Sequence, residues 1–337
     1  MAEDKKREGG LDEFSLIARY FAPLATAPEA LGLRDDAAVI ALPAGHELVI
    51  SCDTIIEGVH FLKEDPPETI AHKALAVNLS DLAAKGARPY AYLLALTLPN
   101  EPSAQWLESF TSGLRALQEE AGIMLVGGDT TRTSGPLSLT ITVLGLVPQG
   151  TSVPRRDGKT GDRLYVTGTI GDSYLGLLLL QQPDLANAWA LNKEDVAFLI
   201  RRYRKPEPRC ALTTVIRNCA ESAIDVSDGL VGDIEKLCHV SHVNAEIKLE
   251  LVPLSAPARN AVAKDRELLQ RLIVAGDDYE IAAAVPEVRG AKFEAEAARA
   301  GVGVTAIGVI RSGAGEVTVL DRDGRPIALP SKGFSHF

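Results

Sequence analysis

Aspartate keeps returning in this chain in one setting, a short polar turn at the end of an apolar strand. Asp35 and Asp36 precede the strand-like residues 37–42, Asp53 follows VIS, and Asp129 sits in VGGDTTR. Asp225 and Asp228 lie in IDVSDG, and Asp277 and Asp278 in AGDDYE. Asp81 belongs instead to a helical stretch, AVNLSDLAAKGA, where Asn78, Asp81 and Lys85 fall at i, i+3 and i+7 and share one face. Leu75, Leu79 and Leu82 form a neighbouring apolar stripe that can pack on a sheet. Hard cations such as Mg2+ prefer oxygen ligands and are commonly held by one or two carboxylates together with substrate phosphates. Short carboxylates from several strand ends therefore predict a site where Mg2+ ions bridge a triphosphate, with ATP as co-substrate. Any one Asp-Gly pair is more often a turn or a helix cap. The repetition is what argues for a site.

Glycine supplies the next candidates. Gly127-Gly128-Asp129-Thr130-Thr131 follows a strand, so its backbone N–H groups could approach a phosphate without a Cβ in the way. GTIGD, residues 168–172, follows another strand and opens a helix whose N-terminus could also take an anion, although a tight turn is the plainer reading. There is no GxxxxGK[ST] loop, and the HRD and DFG elements of protein kinases are missing. Arg155, beside Arg156 after Pro154, could grip phosphate bidentately or be a solvated charge at a domain junction. His60, in EGVHF, follows Asp53 closely enough to face the same cleft, and no HxxxH spacing beside it suggests zinc.

These residues need a scaffold, and length and pattern indicate one. At 337 residues the chain exceeds the size of a single core, so two domains are expected. Expected strands cover 47–51, 92–98, 123–126 and 137–147, with helices at 66–86 and 103–121 and a polar loop at 127–135. A Pro-, Gly- and Arg-rich linker at 149–161 separates the N-terminal domain, 13–148, from a C-terminal domain, 162–337. The latter is expected to hold strands at 163–167, 223–226, 246–251 and 281–285, and helices at 172–181, 206–222 and 229–239. Alternating strands and helices in both halves give a two-domain α/β (α+β) fold.

Hydrophobic residues at 46% and charged residues at 24% are ordinary for a soluble enzyme. No run approaches the roughly 18 apolar residues of a membrane span. Residues 1–12 read as a flexible N-terminus without a secretion signal, so a cytoplasmic location is expected. Cys52, Cys210, Cys219 and Cys238 form no CxxC pair and read as structural thiols. A net charge of −10 argues against nucleic acid and membrane partners. It fits a polyphosphate ligand only if divalent cations stand between carboxylates and phosphates.

Taken together, DDAAVI, SCDTIIEGVHF, ALAVNLSDLAAKGARP, LVGGDTTR, AIDVSDGL, GDDYEI and the terminal KGFSHF occur in the order found in thiamine-monophosphate kinases. EFSLIARYF also resembles that family's start, so the likeness runs from about residue 13 to residue 337. The family belongs to the aminoimidazole ribonucleotide synthetase-like superfamily. The resemblance implies a homodimer whose N-terminal sheets close into a barrel, an α/β C-terminal domain, and ATP with several Mg2+ ions between the domains. It implies direct transfer of the γ-phosphoryl group to thiamine monophosphate, the final step of thiamine diphosphate biosynthesis. Carried over by motif, metal positions are Asp36, Ser51, Cys52, Asp53, Asp81, Asp129, Asp225 and Asp228. ATP contacts are Gly128, Asp129, Arg155 and Ser227, and substrate contacts are His60, Asp277 and Phe334.

Some positions depart from the family pattern. Gly32-Leu33-Arg34 stands where Gly-Ile-Gly is usual, Cys52 where Thr is common, and Asp277 where Glu is usual. Cys52 could then reach a metal only through its backbone carbonyl. Two alternatives stay open from sequence. One is another ATP-dependent enzyme of the superfamily, of the selenophosphate synthetase or purine-ligase type. The other is a non-catalytic nucleotide- or metal-binding regulator.

Overall fold

Alternation of apolar and polar residues builds the first sheet. The computed structural model describes residues 13–35, 37–329, 331 and 333–334, so the stretch 1–12 and Asp36 lie outside the described residues. After a short helix α1 (Glu13–Leu16) come β1 (His46–Ile56), helix α2 (Pro67–Ala84), β2 (Arg88–Leu98), helix α3 (Ala104–Ala121), β3 (Met124–Arg132) and β4 (Ser138–Pro148). The strands pair in the order β1-β4-β2-β3, antiparallel except for the parallel β2–β3 pair. Along β4 every second residue, Leu139, Ile141 and Val143, is buried, as a sheet with one covered face requires.

The second half contributes β5 (Arg163–Thr167), α4 (Asp172–Gln181), α5 (Leu185–Ala188), α6 (Lys193–Arg204), α7 (Thr213–Cys219), β6 (Ser222–Val226) and α8 (Leu230–Ser241). It continues with β7 (Val243–Lys248), α9 (Ala256–Lys264), α10 (Leu268–Leu272), β8 (Glu280–Val285), α11 (Glu287–Arg299), β9 (Val304–Ser312) and β10 (Val317–Leu320). The sheet order is β10-β7-β9-β5-β8-β6. Both faces are covered. Leu164, Val166, Ala282 and Ala284 pack with Ile234 and Leu237 of α8, while Tyr165, Ala283 and Val285 pack with Ile216 of α7 and Phe293 of α11. A strand buried on both faces is continuously apolar, which explains the run IAAAV in β8.

Helix α2 lies between the sheets. Pro66 and Pro67 start it, where a missing N–H costs nothing, and Gly86 follows its end at φ 69°. The predicted stripe Leu75, Leu79 and Leu82 joins the first core. Ala83 and Ala84 join the second, beside Ile281 and Ala283. The helix is therefore buried nearly all round, polar Lys73, Asn78 and Ser80 included.

Several sequence expectations change. Residues 37–42, expected as strand, pair with no strand among the described residues, and the strand expected at 246–251 runs Val243–Lys248 and gives way to a helical turn at Leu249–Leu251. The predicted loop 127–135 is strand as far as Arg132, so Asp129 and likewise Asp53 lie within strands, not in turns. A bulge opposite Tyr92 and Leu93 brings Gly128 onto Leu94, and any Cβ there would overlap the Leu94 carbonyl. That glycine is required by the sheet itself. The helix expected at 206–222 shrinks to Thr213–Cys219, because Pro206 and Pro208 hold the preceding segment out of helical geometry.

The α2–α3 contact gives a test. Gly113 in α3 lies against the backbone of Glu68 in α2, and an added Cβ would overlap the Glu68 carbonyl. Alanine would gain about 1 kcal/mol in helix propensity. An overlap with backbone cannot be relieved by a rotamer change, and such overpacking costs about 1–3 kcal/mol. Gly113→Ala should therefore lower stability by up to roughly 2 kcal/mol in urea denaturation, and a variant stabilised by the full propensity gain would refute the close approach.

Candidate active site

Four segments bring acids to one cleft of about 850 Å³. Strand β1 presents Ser51 and Asp53 toward α2, which answers with Asn78 and Asp81. Ser51 Oγ donates to Asp81, and the Asp53 amide donates to Asn78 Oδ1 at 2.9 Å. The predicted shared face of Asn78, Asp81 and Lys85 is thus the face that meets β1 and β6, where Lys85 Nζ donates to the Ala223 carbonyl at 2.8 Å. The third segment, β6 and the turn after it, brings Asp225, Ser227 and Asp228 to the cleft. Gly276-Asp277 form the fourth and lie directly on that turn. The amides of Asp277 and Tyr279 donate to the Ser227 and Val226 carbonyls, each at 2.8 Å, and a Cβ at Gly276 would overlap Ser227.

The acids crowd one another. Burial, then the charges of Asp81 and Asp228, push the Asp53 carboxyl up to about 6. Asp225 is likewise pushed well above the usual carboxylate range, by burial first and then by Asp81, Asp233 and Asp53. Lys85 is pushed down to about 8 by burial and by Arg155, against the pull of Asp225 and Asp81. The acidic end of the cleft therefore holds more negative charge than its own lysine and arginine balance. Such a donor set is all oxygen and suits a hard cation. Among the described residues there is no compact nest of three or more ligating side chains, so substrate phosphates and water would have to complete any shell.

Sequence reasoning missed Asp233, Lys236 and Lys73. Asp233 Oδ2 accepts from the amides of Ser227 and Asp228 at 2.9 and 2.8 Å and so fixes the turn after β6. Its other oxygen accepts from Lys236 Nζ at 2.7 Å, and Lys236 also bridges to Asp228. An aspartate in the first turn of a helix with lysine three residues later is a legible signal of a cap and its counterion. Lys73 had none, being a lone charge within an apolar helical run.

At the other end of the cleft His60 lies half-buried, its Nδ1 accepting from the Ile56 amide at 3.1 Å, which leaves the proton of the neutral ring on Nε2. Asp277 is held by Lys73 at 2.7 Å and by the Tyr279 hydroxyl at 2.9 Å. Phe334 lines the same space, with its amide donating to the Asp228 carbonyl at 2.9 Å. Arg155 also lines it, its side chain exposed.

The remaining residues lie elsewhere. Gly128 and Asp129 line a second cavity of about 820 Å³, together with Asp35 of the DDAAVI stretch. Cys52 shares the β1 face opposite Asp53, and its Sγ accepts from Thr142 Oγ1 at 3.3 Å. Its side chain is thus turned away from the cleft. GTIGD is structural. The Gly171 amide donates to buried Asp278 at 2.8 Å, and Gly168 packs on the Glu280 carboxylate.

Comparison with known proteins adds the family. Residues 34–147 match AIR synthase related protein, N-terminal domain, and residues 159–321 match AIR synthase related protein, C-terminal domain. Thiamine-monophosphate kinase of Escherichia coli (strain K12) is 42% identical over 327 residues, covering 96% of this chain and 98% of that protein. The crystal structure of thiamine-monophosphate kinase from Stenotrophomonas maltophilia K279a superposes with a TM-score of 0.82 at 38% identity, covering 94% of this chain and 98% of that one. AaThiL complexed with AMPPCP and TMP gives a TM-score of 0.76 at 28% identity, covering 99% of this chain and 100% of that one. With its acidic cleft, its two sheets and this agreement along nearly the whole sequence, the chain belongs to the thiamine-monophosphate kinase family.

Proposed function

We infer that the protein phosphorylates thiamine monophosphate, transferring the γ-phosphoryl group of ATP to the substrate phosphate to give thiamine diphosphate and ADP. The observation that carries this reading is one cleft lined by Asp53, Asp81, Asp225 and Asp228 together with His60, Asp277 and Phe334, in a chain of this family. The acceptor is a phosphate oxygen, anionic at neutral pH, so no side chain is needed as general base. What remains is to place two anions in line and to offset their repulsion.

Asp53, Asp81, Asp225 and Asp228 would hold Mg2+, with Ser51 orienting Asp81 through its hydroxyl and Cys52 offering only its backbone carbonyl. Bound there, Mg2+ would neutralise charge on the phosphates. Asp129, with Gly128 and Asp35, belongs in this reading to the ATP side through the second cavity. Arg155 and Ser227 would contact ATP from the first cleft, Arg155 by a bidentate grip. His60 would donate to the substrate phosphate or ring from Nε2, and Phe334 would lie against the thiamine rings.

A second copy of the chain is part of the reading. The uncovered face of the first sheet leaves Ile50 of β1 60% and Leu93 of β2 40% exposed, large aliphatic groups on the two strands that flank β4. We propose that the same face of a second subunit covers them and closes the two sheets into a barrel.

The function is tested by ADP release measured with and without thiamine monophosphate, in ATP and Mg2+. Substrate-dependent ADP formation is expected. ADP release indifferent to thiamine monophosphate would favour another ligase of the superfamily, and none at all a non-catalytic binder. Asp81→Asn and Asp228→Asn should each lower kcat at least roughly 100-fold with the circular dichroism spectrum unchanged. Near-normal turnover at saturating ATP and Mg2+ would remove these residues from the mechanism.

The crowded carboxylates also set a pH dependence. Asp53 titrates at about 6 in the folded protein against an ordinary 3.8, so between those values the native state keeps a proton that the unfolded chain has lost. In the metal-free protein its contribution to stability is therefore full below about 3.8 and declines as pH rises to about 6. Asp225 acts in the same direction. Thermal melts in EDTA should show wild type losing stability relative to Asp53→Asn over this window, and added Mg2+ should stabilise wild type more at about pH 8 than at about pH 5. The opposite ordering would mean that the carboxylates are not the metal-binding groups.

A further inference from the structure

Lys73 is buried in α2 with 2% of its side chain exposed, and it does not line the cleft among the described residues. Every group it touches does. Its ammonium donates to the His60 carbonyl at 2.8 Å and to Asp277 Oδ2 at 2.7 Å, and it stands 4.0 Å from the centre of the Tyr203 ring. His60, Asp277 and Tyr203 come from three separate stretches: the connection from β1 to α2, the loop before β8, and α6. All three line the substrate end of the cleft. The loop before β8 is awkward on its own, with Asp277 at φ 75° and Tyr279 at φ 52°, left-handed values that non-glycine residues rarely hold without external support. Lys73 supplies one of the ties that keep it there.

The same helix sets a distance. Lys73, Val77 and Asp81 follow one another at i, i+4 and i+8, on one face, and Val77 and Asp81 both line the cleft. At a rise of 1.5 Å per residue, Lys73 stands about 12 Å along the axis from Asp81. A rigid, buried helix thus carries the anchor of the substrate wall and a carboxylate of the phosphate end on one rod.

We propose that Lys73 is a positioning residue for the acceptor substrate. It locks the His60 segment, the Asp277 loop and Tyr203 into one wall and fixes that wall relative to Asp81, so that the substrate phosphate meets the γ-phosphate of ATP in line. The proposal rests on the kinase reading and concerns how the thiamine end is held. A purely structural lysine would, on removal, weaken both substrates alike or lower stability alone. A positioning lysine separates them.

The experiment is steady-state kinetics on wild type, Lys73→Met, Asp277→Asn and the double variant, with each substrate varied at saturation of the other. A non-hydrolysable ATP analogue is also titrated by calorimetry. Lys73→Met should raise KM for thiamine monophosphate about tenfold or more, equivalent to about 1.4 kcal/mol, while the analogue binds within about twofold of wild type. The effects of the two substitutions should not add, since both break one ion pair. An unchanged KM for thiamine monophosphate, an equal weakening of both ligands, or strict additivity would overturn the proposal. If Lys73→Met does not fold, Lys73→Gln, which keeps a donor within reach of the His60 carbonyl but breaks the ion pair, carries the same expectation: a raised KM for thiamine monophosphate with unchanged analogue binding supports it, and an unchanged KM overturns it. Wild-type enzyme that releases no ADP in response to thiamine monophosphate would be a different failure, that of the kinase reading itself.

Discussion

The burial of α2 between two sheets is the constraint on which the rest of the structure depends. A helix covered on nearly all sides should be apolar nearly all round, and past its first turn and His72 this one is, except at Lys73, Asn78, Ser80 and Asp81, with Lys85 at its C-terminal end. Taking an ammonium out of water costs several kcal/mol unless it is well paired. Lys73 and Lys85 offset that cost by bonding outward, to the Asp277 loop and the His60 carbonyl in one case and to the Ala223 carbonyl of β6 in the other. Asn78 does the same for β1 by accepting the Asp53 amide. Lys73, Lys85 and the pair Asn78 and Asp81 thus bond three different site segments, and those bonds tie the helix to both sheets across the cleft. Moving α2 would move every wall of the site together.

The loops on the second sheet are fixed by backbone contact as well as by charge. Backbone bonds from Asp277 and Tyr279 to Ser227 and Val226 join the turn after β6 to the loop before β8, and Gly276 and Gly229 let the two backbones approach where no Cβ would fit. Asp233 then ties down the Ser227 and Asp228 amides from within α8. A site built this way is preorganised before ligand arrives, which suits a reaction in which positioning and charge neutralisation carry the catalysis.

Much of this was legible in the sequence because it is local. Helix α2, its proline start and the shared face of Asn78, Asp81 and Lys85 follow from spacing alone, as do β5 and α4. The strand character of GGDTTR was not legible, because its glycine and hydroxyl residues read as loop until the bulge against β2 is known. Nor was the role of Lys73, whose partners lie 13 and 204 residues away in sequence. The pair Asp277-Asp278 shows the same limit most clearly. Two adjacent aspartates look equivalent on paper, yet the left-handed turn at Asp277 sends one into the cleft and the other into the interior, where it accepts the Gly171 amide.

That interior neighbourhood also shows why counting acids does not find a site. Glu280 is fully buried, but it is surrounded by cations: Arg202 donates to it at 2.9 Å, Arg209 grips it with two nitrogens, and Thr167 adds a hydroxyl at 2.6 Å. Its charge is balanced within the protein, so it has no need of a ligand and serves packing of α6 against the sheet. Asp225 is buried to a similar degree, yet the charges that act on it are Asp81, Asp233 and Asp53; Lys85 beside them is pushed down to about 8, and Lys236 bonds Asp233 and Asp228 instead. An evolved core removes such an imbalance by substitution or pairing, because an uncompensated buried charge is among the costliest defects a fold can carry. The contrast between Glu280 and Asp225 is therefore that between an acid paired with cations in the interior and an acid crowded by other acids at a cleft.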